Sequence, residues 1–426
     1  MTKSRTLTLS LAAALGVTAV APATLATAAP AARWDSTSFV MNAKVLDGGQ
    51  QVVSLTLDTA GRKVDPKSLT ASTFRVRAKG VNPYAGLAPS EVAGTFDVQR
   101  TVTGAHLDRS GDIVVELAHG EGVPGASTLA YATKPGRNVV LDLTYSLTQT
   151  APVRLKSGAA VQLTSCHQGG VVDPEVDAFG AGASRSGLKY RYYAPKKSLR
   201  PARSKAPLIL FLHGGGEGGW SKAGNNDLPL LANRGALAFA TTESQQIFKG
   251  AYVVAPQAWT RWLDDGDYSY TRRLKSLVDE FAKGHDVDTS RIYVVGPSNG
   301  GYMAMKLASA YPRYFAANVP VCAAYVLKDQ ATGTTTRMLT DAQILRLRST
   351  PTWFVHATND PVVDYQATTG RAVRLLGNAR LTAYPNVVWN GHEFQGHWSW
   401  IYVARNDPQT ASGLTIWEWM AKQRRR

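Results

Sequence analysis

RIYVVGPSNGG, residues 291–301, is the stretch of this chain that decides its fold. An apolar strand leads into Gly-x-Ser-x-Gly, and residues 302–310 have the apolar-rich composition of a helix. In this context Ser298 would lie on a sharp turn, with Gly296 and Gly300 letting the strand and the helix pass close together. Its hydroxyl would then be exposed at a helix N-terminus, where backbone N–H groups stabilise an oxyanion. The stretch therefore predicts a nucleophilic serine.

Almost continuous apolar strands alternate with helical patterns through the C-terminal half, which we delimit as residues 187–426. Such strands are typical of a mostly parallel sheet with helices on both faces, an α/β fold. We predict strands at 207–212, 251–254, 291–295, 317–321 and 351–355, and helices at 270–283, 302–310, 367–377 and 414–423.

The N-terminal half has a different pattern. Short alternating runs separated by turn clusters fill residues 34–153, which predicts a small all-β immunoglobulin-like sandwich. Residues 154–186 are rich in Gly, Ala and Ser, and we interpret them as a connector between the two domains.

Residues 1–28 have the pattern of a secretory signal peptide: Lys3 and Arg5, an apolar run, and a small-residue cleavage signal. A membrane anchor is the less favoured alternative because the run is short and rich in Ala and Thr. No other segment has the ~20 apolar residues of a membrane span. We therefore expect a secreted, extracellular protein.

The chain is strongly basic, with a net charge of +16. This charge favours association with anionic surfaces such as cell walls or acidic polysaccharides. No recognition motif indicates a specific nucleic-acid partner. We interpret the basic clusters at 196–205 and 422–426 as a solvated loop and a solvated tail. The sequence indicates no particular oligomeric state.

The only two cysteines are Cys166 and Cys322. Export permits a disulfide between them. Two unpaired thiols, with Cys322 buried behind a strand, are an equally weighted alternative.

The stretch LHGGGEGG, residues 212–219, follows the first strong strand of the C-terminal half. Glycines allow backbone N–H groups to turn toward a small anion. We expect a donor from Gly214 or Gly215 to act with the Asn299 N–H as an oxyanion hole.

A serine nucleophile needs a base that is oriented by a carboxylate. Asp360 lies just past the predicted strand at 351–355, at the carboxyl edge where open parallel sheets have their active sites. Asp364 is the alternative candidate for this carboxylate. His356 is expected to be a structural residue rather than the base.

The base should follow the acid in the order Ser, acid, His, which leaves His392 and His397. We prefer His397, because Gly396 precedes it and a rigid aromatic run follows it. A zinc site is rejected, because the two histidines are five residues apart and the helical metalloprotease motif needs four. No metal or organic cofactor is expected.

Trp259, Trp262 and Trp398 are candidates for a substrate pocket, since tryptophans at strand ends offer flat apolar surface. For the first two, a packed loop is the alternative.

These motifs together resemble those of α/β-hydrolases grouped as secreted esterases, polyhydroxybutyrate-depolymerase-like or feruloyl-esterase-like hydrolases, and prolyl-oligopeptidase-family serine peptidases. The matching pieces lie between about 188 and 423: residues 213–217, 296–302, 353–360 and 396–400. The resemblance implies Ser298 as nucleophile, Asp360 as acid and His397 as base. It also implies an N-terminal immunoglobulin-like domain.

The resulting expectation is a serine hydrolase that cleaves small or polymeric carboxylic esters through an acyl-enzyme. A serine peptidase using the same residues is the first alternative. A non-catalytic cell-wall or polysaccharide-binding protein on a hydrolase scaffold is the second.

Overall fold

The computed structural model describes residues 32–200, 204–220, 226–328 and 332–425. The predicted signal peptide, residues 1–28, lies outside the described residues, as do residues 201–203 of the first basic cluster. None of the helices within the described ranges has the length and apolar character of a membrane span.

Residues 32–172 form an all-β domain, which extends beyond the predicted 34–153. Its main sheets have the orders β14-β2-β3-β8-β7 and β11-β4-β6, and they enclose an apolar core around Trp34, Phe39 and Leu55. In β4, buried and exposed residues alternate without exception, which is the pattern of a strand with one face on a core. The strands are β1 (Ala32–Trp34), β2 (Thr37–Leu46), β3 (Gly49–Leu57), β4 (Phe74–Val81), β5 (Val92–Ala93), β6 (Phe96–Arg100), β7 (Val102–Leu107), β8 (Ile113–Leu117), β9 (Leu129–Ala132), β10 (Arg137–Val140), β11 (Asp142–Gln149), β12 (Val153–Arg154), β13 (Ala160–Leu163) and β14 (Cys166–Val172).

The second domain is a mostly parallel eight-stranded sheet of order β15-β16-β18-β17-β19-β20-β23-β24, with β15 and β16 antiparallel at one edge. The eight strands of this sheet are β15 (Gly180–Ala183), β16 (Lys189–Tyr193), β17 (Ala206–Phe211), β18 (Tyr252–Pro256), β19 (Val287–Pro297), β20 (Ala317–Val321), β23 (Trp353–Ala357) and β24 (Arg380–Tyr384). Two separate two-stranded sheets are formed by β21 (Val326–Lys328) with β22 (Thr335–Arg337) and by β25 (Val387–Trp389) with β26 (His392–Phe394). The α-helices are α1 (Pro174–Asp177), α2 (Leu228–Leu231), α3 (Gly235–Ala238), α4 (Thr242–Phe248), α5 (Asp265–Tyr268), α6 (Tyr270–Gly284), α7 (Asn299–Ala310), α8 (Asp341–Leu345), α9 (Arg371–Leu376), α10 (Trp400–Ala404) and α11 (Ile416–Lys422).

The prediction of a connector at 154–186 is wrong, because this segment forms strands of both domains. Strands β12 to β14 complete the sheets of the first domain, and β15 is the edge strand of the second. The Gly-Ala composition of β15 serves close packing, because a Cβ at Gly182 would lie 2.5 Å from the Tyr190 ring. The small residues of this segment therefore reflect close packing between strands and do not mark a linker.

The two domains share apolar and ionic contacts. Val45 of β2 and Leu129 of β9 are buried in a core cluster of the second domain. Arg405 holds Asp47 through three hydrogen bonds of 2.8, 2.9 and 3.1 Å to its carboxylate oxygens. Arg234 donates both to Glu175 and to the Val45 carbonyl. These contacts fix the first domain over the carboxyl edge of the sheet.

Candidate active site

Ser298 lies on the sharp turn between β19 and α7, as the sequence predicts. Its backbone has a φ of 52° and a ψ of −112°, a strained conformation for a side chain with a Cβ. Its N–H donates to Val321 at 2.8 Å, which fixes the turn against β20. A Cβ at Gly300 would lie 1.9 Å from the Leu212 oxygen, and one at Gly296 would lie 2.6 Å from Gly300. The turn therefore has room only for glycine on both sides of the serine.

Asp360 and His397, the predicted acid and base, lie within hydrogen-bond distance of each other. Asp360 follows β23 at the carboxyl edge, and its Oδ2 lies 2.7 Å from His397 Nδ1. Its Oδ1 accepts from the N–H groups of Val362 and Val363 at 2.8 and 2.9 Å. This arrangement leaves Nε2 of His397 as the atom that would exchange a proton with a serine.

His356 is a second histidine on the same carboxylate. Its Nε2 lies 2.9 Å from Asp360 Oδ2, and its Nδ1 lies 2.9 Å from the Thr369 hydroxyl. Because a carboxylate only accepts, His356 donates from Nε2, and Nδ1 accepts from Thr369. The residue is fully buried. It packs at the end of its strand, as predicted, and it also holds the Asp360 carboxylate, which the sequence does not indicate.

Burial opposes the charged form of Asp360, but the hydrogen bonds from His356 and His397 outweigh burial and hold its pKa well below the usual range. Burial likewise lowers the pKa of His397, while its contacts with Cys322 and with the Asp360 carboxylate raise it above the usual range. The Cys322 thiol lies 3.3 Å from the His397 carbonyl oxygen, to which it donates. The site therefore holds Asp360 ionised, and this carboxylate favours the protonated form of His397.

Glu217, for which the sequence predicts no role, lies at the end of the glycine loop. Its buried carboxylate accepts from the Asn233 amide at 2.8 Å. Burial raises its pKa to about 7. Gly214, Gly215 and Asn299 line the cavity beside Ser298, so they stay the candidates for the oxyanion hole. The partner Asn233 comes from a distant segment, so only the fold brings the network together.

His213 anchors the other side of the loop. Its Nε2 accepts from the Ala258 N–H at 3.0 Å, so its Nδ1 carries the proton and donates to the Gly214 carbonyl at 2.6 Å. Burial lowers the pKa of His213 to about 4. The Trp262 indole donates to the His213 carbonyl at 3.1 Å. His213 is thus a neutral structural group that fixes the loop.

Several candidates lie away from the site. Trp262 is fully buried beneath the loop and Trp259 packs among tyrosines, so neither lines the cavity described below, and the predicted pocket role is wrong for both. Asp364 caps the following helical turn by accepting from the Ala367 N–H. His392 is exposed on β26. The prediction of His397 over His392 is consistent with this placement.

The cysteines are free: Cys166 lies on β14 of the first domain, and Cys322 is buried behind His397. Cys322, Asp360 and His397 are the one cluster of metal-ligating side chains within the described ranges. The Asp360–His397 hydrogen bond already engages two of its ligand atoms.

A cavity of about 720 Å³ opens onto these groups. Ser298, Asn299 and His397 line it with Gly214, Gly215, Glu217 and Trp398. The first domain supplies another wall, and its contributing residues include Ser127, Leu129, Ala130, Tyr131 and Asn138. The predicted site residues other than Trp259 and Trp262 thus lie in or directly behind one cavity between the domains.

Comparisons with known proteins agree with this architecture. Residues 39–162 match the family model for the esterase Ig-like N-terminal domain, and residues 257–346 match the prolyl oligopeptidase family. The crystal structure of a thermostable esterase superposes with a TM-score of 0.73 at 23% identity, covering 91% of this chain and 100% of that one. The predicted α/β-hydrolase fold with a preceding immunoglobulin-like domain is confirmed.

Two curated relatives are similar over shorter stretches. Poly(3-hydroxyalkanoate) depolymerase C of Paucimonas lemoignei is 28% identical over 137 residues, 28% of this chain and 28% of its own length. A bifunctional acetylxylan esterase/xylanase of Neocallimastix patriciarum is 27% identical over 188 residues, 43% of this chain and 23% of its own length. The chain thus spans about a quarter of the length of these relatives, and the matches support the predicted serine-hydrolase class.

Proposed function

We propose that this chain, an α/β-hydrolase with an esterase-type immunoglobulin-like domain, hydrolyses carboxylic esters through an acyl-enzyme. The observation on which the proposal depends is the Asp360–His397 pair, with its 2.7 Å hydrogen bond, in the cavity that Ser298 lines. No step requires a metal or organic cofactor.

In the first step the Ser298 hydroxyl attacks the ester carbonyl while His397 Nε2 takes its proton. The N–H groups of Asn299 and of Gly214 or Gly215 stabilise the tetrahedral oxyanion, and His397 then delivers the proton to the leaving alcohol. Water, deprotonated by His397, hydrolyses the acyl-serine and regenerates the hydroxyl. Asp360 stays ionised throughout and stabilises the imidazolium.

The match to the prolyl oligopeptidase family favours a peptidase as the second candidate. A peptidase would use the same residues on an amide. A non-catalytic polysaccharide-binding protein is disfavoured, because the nucleophile, acid and base candidates are all present in one cavity.

Steady-state hydrolysis of a substrate panel separates these functions. The panel contains p-nitrophenyl acetate, butyrate and octanoate, a feruloyl ester, a polyhydroxyalkanoate film and a prolyl p-nitroanilide, each assayed with wild type and Ser298→Ala. We expect turnover of esters, lost in Ser298→Ala, and no cleavage of the anilide. Faster cleavage of the anilide than of every ester would establish the peptidase instead. Polymeric esters belong in the panel because one relative is named as a depolymerase of such a polymer.

We also propose that the protein is exported and that residues 1–28 are removed. N-terminal sequencing of the protein secreted by an expression host should begin at about residue 29 or 30. An intact N-terminus on protein retained in the cell would contradict this proposal.

A further inference from the structure

A second cleft, of about 800 Å³, lies far from the candidate active site along the sheet. Its walls are the segment 350–352 before β23, the first residue of β24 and the chain after α11. In a parallel sheet the amino ends of the strands share one edge and the carboxyl ends the other. Ser298 and Asp360 follow carboxyl ends, so this cleft lies at the opposite edge.

The cleft is lined by six cationic side chains, and we call it the basic cleft. They make up six of its 14 lining residues, whereas 47 of the 426 residues of the chain are Lys or Arg. The high net charge alone therefore does not account for this density. The six are Arg313, Arg348, Arg380, Lys422, Arg424 and Arg425.

Within the part of the chain that the structure describes, no carboxylate is paired with these six side chains. The lining includes no Asp or Glu, and within the described ranges none of the six forms an ion pair. All six are exposed. Lys422, Arg424 and Arg425 of the predicted solvated tail are exposed, and the fold places them beside three arginines from distant segments. Like charges at this density repel one another, and an anionic ligand would relieve that repulsion.

Several of the cations are already ordered by contacts that leave their charge unneutralised. Arg348 donates to the carbonyls of Leu375 and Leu376 at 2.8 and 3.0 Å. The Arg380 guanidinium lies 5.8 Å from the centre of the Trp353 ring. Ordered side chains lose less conformational entropy when a ligand binds, so the cleft is partly preorganised.

We propose that the basic cleft binds an acidic polysaccharide, a carbohydrate chain that carries repeated sulfate or carboxylate groups. A concave cleft accommodates a chain better than a flat bilayer surface. Its aromatic residues, Phe315 and Trp419, are buried and offer no platform on which nucleic-acid bases would stack. Because the cleft and the cavity at Ser298 lie at opposite edges, a bound chain leaves the ester site open. The cleft would thus hold the protein on a polyanionic surface while it acts.

Binding to immobilised heparin and to polygalacturonate, measured across a salt series, tests the proposal. The test variant carries Arg380→Gln, Lys422→Gln and Arg424→Gln. The matched control carries Lys67→Gln, Arg109→Gln and Lys156→Gln, which removes the same charge from exposed positions of the first domain. Hydrolysis of a soluble ester is assayed in parallel and should be equal in all three proteins, so a failure of the proposed activity is seen separately.

We expect the cleft variant to bind at least about tenfold more weakly than wild type and to reduce the slope of log K against log salt by about 2, since three contacts are lost. The control should stay within about twofold. Equal weakening in both variants would mean that net charge alone drives binding and would overturn the proposal. Cleft-dependent binding that is tighter to single-stranded DNA or to anionic vesicles than to either polysaccharide would overturn it as well.

Discussion

One oxygen of Asp360 accepts hydrogen bonds from two histidines, so the acid of the candidate triad is oriented from both sides. His397 is the partner that lines the cavity, and His356 is the fully buried one whose tautomer Thr369 fixes. The second histidine spreads the negative charge of Asp360 and thereby limits how strongly the carboxylate raises the pKa of His397. We infer that His356 is a positioning residue.

Replacing His356 with Phe should therefore alter the pH profile and not only the rate. With one donor lost, Asp360 becomes more basic and raises the pKa of His397 further. Because the base must be neutral to accept a proton, the acid limb of the kcat/KM profile should shift to higher pH. In addition, kcat should fall by about tenfold with little change in KM. His356→Gln, which can still donate, should recover part of both effects. A fall in activity without movement of the limb would indicate a merely structural residue.

Glu217 should leave a signature in the pH dependence of stability. The folded protein keeps its proton up to a pKa of about 7, whereas the ordinary value is 4.5. The stabilisation is fully present below about pH 4.5 and is lost as the pH rises through about 7. Urea unfolding of wild type and Glu217→Gln should show wild type losing about 3 kcal/mol relative to the variant over that interval. A difference that is flat between pH 4 and 8 would contradict this assignment.

At the scale of elements, the turn between β19 and α7 depends on the absence of side chains. Gly300→Ala would place a Cβ 1.9 Å from the Leu212 oxygen, a rigid backbone atom. We expect a loss of more than about 3 kcal/mol in the free energy of unfolding, or failure to fold, together with loss of activity. Gly284→Ala, in α6 with open space around it, is the matched control and should be neutral or slightly stabilising. Equal stabilities in urea would refute the packing argument.

Sequence patterns predicted the elements wherever a period or a continuous apolar run was long. Helix α6 spans residues 270–284 against a predicted 270–283, and β20 spans the predicted 317–321. The sequence does not predict the edge strand β15, because its Gly and Ala residues give neither an alternation of apolar and polar side chains nor β-branched residues.

The site residues divide in the same way. Ser298, Asp360 and His397 follow from a local motif and from chain order. The roles of His356 and Glu217 depend on buried partners supplied by tertiary contacts, Thr369 and Asn233, which no spacing along the chain reveals. The residues of the candidate triad could therefore be predicted from the sequence, whereas the hydrogen-bond networks around them could not.

At the scale of the whole molecule, the first domain is part of the enzyme body rather than an appendage. Val45 and Leu129 are buried among side chains of the second domain, and Arg405 holds the nearly buried Asp47 across the interface. We therefore expect both domains to unfold in one cooperative transition.

Asp47→Asn tests this coupling. It leaves the Arg405 charge without its partner, and we expect a loss of about 1–3 kcal/mol in the free energy of unfolding, seen in both domains at once. Asp97→Asn, which breaks the exposed Arg77–Asp97 pair, is the control and should cost less than about 1 kcal/mol. Calorimetry that resolves two separate transitions in wild type would contradict the single-body account.

The most direct test of the central claim is mass-spectrometric mapping of a fluorophosphonate adduct. Such probes react with a serine only when a base activates it, so the adduct reports the whole Ser298–His397–Asp360 arrangement. We predict one adduct on Ser298, absent in Ser298→Ala and strongly reduced in His397→Ala, while His392→Ala labels like wild type. An unlabelled wild type, or an adduct on another serine, would contradict the account.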